Sequence, residues 1–176
     1  MQPLTNAQWT KLFADCQHSA CHLEMRDSYG VDAERERFER FLSGGSRDDD
    51  AEAEERRHWL DLIRAATRAG VQVRRARIIS EPVTDYIRFE YAGTDLNVKA
   101  GEEVRWLPRR LTSGIPLPGN DFWLFDETSA LFNLFAGDGQ SVGHEITDNP
   151  DVVQLCKSAF EAVWTVAIPH AQYKPA

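Results

Sequence analysis

The chain has 176 residues, 42% of them hydrophobic and 27% charged, with a formal net charge of −8. That size and balance suit one globular domain, residues 1–176, with a core of its own, and they exclude a wholly disordered chain. No apolar run reaches the roughly 18 residues of a membrane helix, and an acidic whole argues against direct nucleic-acid binding. The first residues show neither the basic start nor the apolar stretch of a secretory signal. Three cysteines without framework spacing add to the expectation of a cytoplasmic protein.

In chain order, the first third reads as helical, 1–70, with an acidic linker at 43–55. Trp9, Leu12, Phe13, Cys16, Ala20 and Leu23 recur at three- and four-residue spacing, which predicts one helix from Thr5 to Arg26. A second helix is expected from Asp32, with Phe38, Phe41 and Leu42 on its buried side, stopped by Ser43-Gly44-Gly45-Ser46. The acidic run Asp48 to Glu55 leads into a third, with Trp59, Leu62, Ile63 and Ala66 as its core stripe and Gly70 at its end.

From residue 71 the period changes, and 71–176 reads as an α/β core. Val71 to Ile79 is a predicted strand. Ser80-Glu81-Pro82 has the composition of a helix start, and Glu103 to Leu107 reads as a second strand. Helix, strand, helix, strand is the order of a parallel crossover unit. Asp121-Phe122-Trp123-Leu124-Phe125-Asp126 is a continuous apolar strand of the kind buried on both faces, with Leu131 to Phe135 as its hairpin partner. Asn149-Pro150 opens a last helix bearing Val153, Cys156, Phe160, Val163 and Trp164. The expected fold is therefore α/β: N-terminal helices, a small mixed sheet of about five strands and a C-terminal helix.

Two motifs are better explained without chemistry. Cys16, His18, Cys21 and His22 invite a metal, but on the predicted helix the histidines face away from the core stripe and no second cluster completes four ligands. Gly139-Gln140-Ser141-Val142-Gly143 matches G-x-S-x-G, yet a turn precedes it and no helical spacing follows, so a hairpin turn is the reading. No metal or cofactor is expected.

The arginines carry the functional expectation. Residues 71–110 hold 8 basic and 6 acidic side chains, against 10 and 14 in residues 1–70 and 2 and 8 in residues 111–176. Arg75, Arg77 and Arg105 lie in two predicted neighbouring strands, with Arg88 on the helix between them and Asp126 ending the third strand. Ligands of open α/β sheets bind at strand carboxyl ends, so these five residues form the candidate site for an anionic ligand or an acidic partner segment. Clustered arginines repel unless a carboxylate or an anion bridges them. The competing expectation is internal pairing with Glu81, Glu90, Glu102 and Glu103.

Four blocks carry a resemblance: Leu23 to Tyr29, Ser80 to Tyr86, Ala100 to Pro108 and Asp121 to Asp126. Through them the chain resembles an actinobacterial family of single-domain proteins of unknown function, often encoded beside helix-turn-helix regulators. The resemblance implies a non-catalytic regulatory or interaction module, with such a regulator or another protein as partner. More distantly, the order of elements is similar to one half of the phospholipase D superfamily, whose H-x-K-x-x-x-x-D motif supplies a histidine nucleophile and a lysine. Counting back from Asp126 puts Gly119 at the histidine position and Asp121 at the lysine position, and no H-x-K occurs in the chain. The alternative function is an enzyme of unrecognised type acting on a small phosphorylated or carboxylated substrate.

Overall fold

A computed structural model describes residues 3–30, 34–44 and 48–176. The elements run α1 (Asn6–Asp15), β1 (Ser19–Glu24), α2 (Arg35–Leu42), α3 (Asp49–Glu55), α4 (Arg57–Arg68), β2 (Gln72–Ile79), α5 (Asp85–Lys99), β3 (Glu103–Pro108), β4 (Phe122–Phe125), β5 (Ser129–Phe135), β6 (Ser141–Thr147), α6 (Pro150–Val166) and β7 (Ile168–Pro169). Among the described residues seven strands make one mixed sheet in the order β6-β5-β4-β1-β2-β3-β7, two more than expected. β1, β2 and β3 are mutually parallel, and β4, β5, β6 and β7 each pair antiparallel.

Side chains alternate across this sheet and divide it into two faces. His22, Glu24, Arg75, Arg77 and Trp123 share the face covered by α1, α4 and α5, because His22 pairs with both Arg75 and Trp123. Cys21, Leu23, Ala76, Ile78 and Leu124 share the other, where Phe160 and Val163 of α6 close the core. The first face is not continuously apolar. One cluster around Phe13, Ile63 and Trp123 and another around Ile79, Phe89 and Trp106 flank a polar strip between them.

The predicted helix from Thr5 to Arg26 is two elements. Asp126 breaks it: its carboxylate accepts from the backbone N–H groups of Gln17, His18 and Ser19 at 2.7–2.9 Å, which turns the chain out of α1. The next six residues then enter the middle of the sheet between β2 and β4. Cys16, Ala20 and Leu23 are buried as expected, but only Cys16, at the end of α1, is buried from the helix; Ala20 and Leu23 are buried by strand pairing. His18 is exposed and His22 is 6% exposed, so the expected outward-facing histidine pair does not form.

The acidic linker is largely helical, since Asp48 caps α3 through Asp50 and Ala51 before a kink into α4. The expected second helix begins at Arg35; its predicted start at Asp32, and Gly45-Ser46 of its stop, lie outside the described residues. Thr84 rather than Ser80 caps α5, accepting from the N–H of Ile87, while Ser80 is held by Asp27. Ser141 opens strand β6 and is followed directly by strand rather than helix, so the G-x-S-x-G stretch is a hairpin turn and strand.

Candidate functional site

Three of the four sequence blocks meet where β1 and β2 end. Asp27 accepts from the backbone and hydroxyl of Ser80 at 2.6 and 2.7 Å, and Thr84 donates to the Asp27 carbonyl. Asp121, at the start of β4, accepts from the Met25 N–H at 2.9 Å and from the Tyr29 hydroxyl at 2.5 Å. These bonds hold the loop after β1 over the sheet. Beneath it, between α1, α4, α5 and the polar strip, is a cleft of about 650 Å³.

Arg75 and Arg77 form the floor. Both leave the same face of β2, and both are buried, 7% and 6% exposed. Arg75 spans Glu102 at 2.8 Å and Glu24 at 2.5 Å, with its guanidinium over Trp123. Arg77 spans Glu24 at 2.5 Å and Glu90 at 2.6 Å, over Trp106. The internal pairing expected of Glu90 and Glu102 is therefore present, while Glu103 and Glu81 take no part in it. Glu24, which sequence reasoning passed over inside a supposed helix, joins the two arginines.

The other three expected site residues lie elsewhere. Arg105 pairs across from Ala76, so it leaves the opposite face, donates to the Trp164 carbonyl at 2.9 Å and stacks 4.2 Å from that indole. Arg88 is exposed on α5. Asp126 is committed to the turn after α1. The expected cluster of Arg75, Arg77 and Arg105 is thus divided by the sheet, because a one-residue step in register reverses the face.

Burial and charge set unequal protonation along the cleft. Burial acts to raise the Glu24 carboxyl, but Arg77 and Arg75 outweigh it and hold it down at about 2. Burial, with Glu90 beside it, pushes Glu34 up to about 7 against the Tyr86 hydroxyl that donates to it. Burial also raises Asp121 to about 6, despite the hydrogen bond from Tyr29. His22, stacked on Trp123 at 4.3 Å, is kept neutral by burial, well below its ordinary range. The rim is aromatic: Trp9 meets Trp59 at 5.6 Å and His144 at 5.5 Å, both edge to face.

Groups suited to other chemistry are turned away from it. The three cysteines are buried free thiols, and burial first, then Asp126, raises Cys16 to about 12. Among the described residues no three histidines, cysteines or carboxylates are placed to hold a metal ion.

A model of one protein family, described as "Domain of unknown function (DUF6879)", matches residues 7–175. The chain belongs to that family. No curated protein matches the DUF6879 chain. Solved structures resemble its fold. Nuc from Salmonella typhimurium, a phospholipase D family member, is 10% identical over 93% of this chain and 88% of that one, with a TM-score of 0.54. NucT from Helicobacter pylori is 9% identical over 93% of this chain and 89% of that one, with a TM-score of 0.51. These likenesses establish the shared fold of the DUF6879 chain, consistent with the resemblance in its sequence to half of a phospholipase D. Within that fold Gly119 is exposed in the loop before β4, and Asp121 faces the cleft.

Proposed function

We propose that this DUF6879 chain is a non-catalytic binding module, in which a small ligand occupies the cleft and its presence is read by a partner protein. The observation that carries the reading is the state of the cleft arginines. Arg75 and Arg77 are each engaged by two carboxylates, so neither is free to neutralise charge developing on a phosphate or an acyl group. Where a phospholipase D would carry its histidine and lysine, this chain carries Gly119 and Asp121, neither a nucleophilic imidazole nor a cation. The cavity itself is of ligand size and combines aromatic walls with convergent polar groups, the usual composition of a small-molecule site.

The pairing also argues against the anionic version of this function, since an anion would have to displace buried carboxylates. A helix-turn-helix regulator is the partner we propose, on the strength of the family resemblance in the sequence. The alternative, an enzyme for a phosphorylated substrate, has less support for the same reason.

The test uses the isotope-labelled full chain and the indole N–H resonances of Trp9, Trp59 and Trp123. A low-molecular-weight extract of the source cells is expected to shift them, with the bound molecule recovered chemically unchanged. Turnover of bis(p-nitrophenyl) phosphate that co-purifies with the protein and is lost in Asp121→Ala would overturn the reading.

A further inference from the structure

The cleft is unevenly charged. Among the described residues, six carboxylates and four guanidiniums line it, and Glu102, also buried, lies behind Arg75. The arginines are not shared evenly. Glu24 touches two of them, whereas Asp121 has hydrogen bonds but no ion pair among the described residues. Glu34 lies 3.7 Å from Arg37, which is also 3.7 Å from Glu55, so neither contact is close. Tyr29 and Tyr86 stand side by side, ring centroids 6.1 Å apart, and each gives its hydroxyl to one of these two under-served carboxyls. A buried carboxyl short of a cation either keeps its proton or recruits positive charge from outside.

A second observation, independent of the charge, comes from His22. It is 6% exposed and lines the cleft, yet its Nδ1 has no hydrogen-bond partner. Its Nε2 is 3.2 Å from the Asn133 amide nitrogen, which donates to it, so the neutral ring carries its proton on Nδ1. That N–H faces Glu24 Oε1 at 3.5 Å, too far for a good bond but close enough for one hydroxyl to serve both. The unpartnered N–H beside this carboxylate thus suits an atom that accepts from His22 and donates to Glu24 when the two side chains part to admit it.

We infer that the cleft takes a small organic cation, an amine or guanidine bearing hydroxyl groups or a ring, with its charge beside Glu34 and Asp121 and its uncharged body against Trp9 and Trp59. A hydroxyl of the same molecule meets the His22–Glu24 gap. The inference rests on the binding reading and names the ligand class for that site. Arg37 is the least tightly held guanidinium of the cleft, and an anion would have to be held there against the surplus of carboxylates.

Cation binding has a proton signature. Glu34 faces Arg37 from its own helix, Tyr86 and Glu90 from α5 and Arg77 from β2; Asp121 faces Tyr29, Arg26 and Glu24. Between about pH 6 and 7 both carboxyls are partly protonated in the empty cleft, so a bound cation expels protons from them.

The probes are agmatine and glucosamine as cations, methyl glucoside as the neutral counterpart and inorganic phosphate as the anion, each titrated calorimetrically into the full chain. Binding by at least one cation, with a heat that varies with the buffer's ionisation enthalpy, is expected; methyl glucoside and phosphate should give none. In the Glu34→Gln, Asp121→Asn double variant the cation should bind about tenfold more weakly or worse. That variant replaces two carboxyls that burial already disfavours as anions, and thermal melting verifies that it folds. Equal affinity in the double variant overturns the proposal, as does silence from both cations at millimolar concentration. Phosphate binding without cation binding also overturns the ligand class, yet leaves the binding reading standing. Failure of that reading would appear separately, as turnover in the phosphodiester assay.

Discussion

Arg75 is 7% exposed and its guanidinium lies between Glu24 and Glu102, whereas Arg105 keeps a partly exposed place over Trp164. The consequences of removing each differ. Arg75→Ala leaves Glu102, 1% exposed, without its ion partner, and losing one side of a buried pair costs about 3–5 kcal/mol. Arg105→Ala gives up one hydrogen bond and a stacked contact near the surface, about 1 kcal/mol. Urea unfolding of the two variants should separate them by roughly 2 kcal/mol or more on these figures. Similar midpoints would mean that the floor network contributes little to the fold. The network also explains why a strand can carry Arg-Arg-Ala-Arg at its centre: each face of β2 finds its own carboxylates, Glu24, Glu90 and Glu102 on one side and Glu161 with Arg74 on the other.

At the scale of elements, one carboxylate decides where the first helix ends. Asp126 sits at φ 50°, in a tight turn with Glu127 at φ 56°, and from there reaches three backbone N–H groups over a hundred residues earlier in the chain. Asp126→Ala removes those acceptors and places a less tolerant residue in left-handed backbone, so a loss of about 1–2 kcal/mol is expected in thermal or chemical melts. Asp126→Asn, which keeps an acceptor and tolerates that backbone, should recover part of it. The same residue shows what could be read from the chain and what could not. Local patterns are legible: the apolar run of β4, the β-rich stretch of β2, the Asn149 cap and the stripe of α6 all form as expected, although the burial of β2 does not alternate. β1 is not, because a strand buried on both faces has no period of two. Its Ala20 and Leu23 fall by coincidence on the three-and-four spacing that α1 begins. With β1 read as helix, Glu24 and His22 had no place in the site, although Arg75 and Arg77 were found. Glu24 gives no local signal; only the parallel register opposite Arg77 identifies it.

Over the whole molecule, the sheet is most protected at its centre and least at one edge. β1 and β2 are hydrogen-bonded on both sides and covered by helices on both faces, while β6 is an edge strand with Val142 and Ile146 about half exposed. Hydrogen exchange should therefore find the amides of β1, β2 and β4 slowest and those of β6 several orders of magnitude faster, and equal protection of β6 would imply that its edge is covered in solution.

The central position of β1 also has a consequence for the order of events at the ribosome. Leu23 is made before either of its neighbours in the sheet, Ala76 on one side and Phe122 on the other. At roughly 5–20 residues per second, the second neighbour is synthesised about 5–20 s later. For that interval the strand that will become the middle of the protein has at most one of its two neighbours, and its open edge is attractive to any chaperone or strand edge it meets. β4, the later-made of its two strand partners, and the Asp126 that follows it are the pieces that complete its pairing.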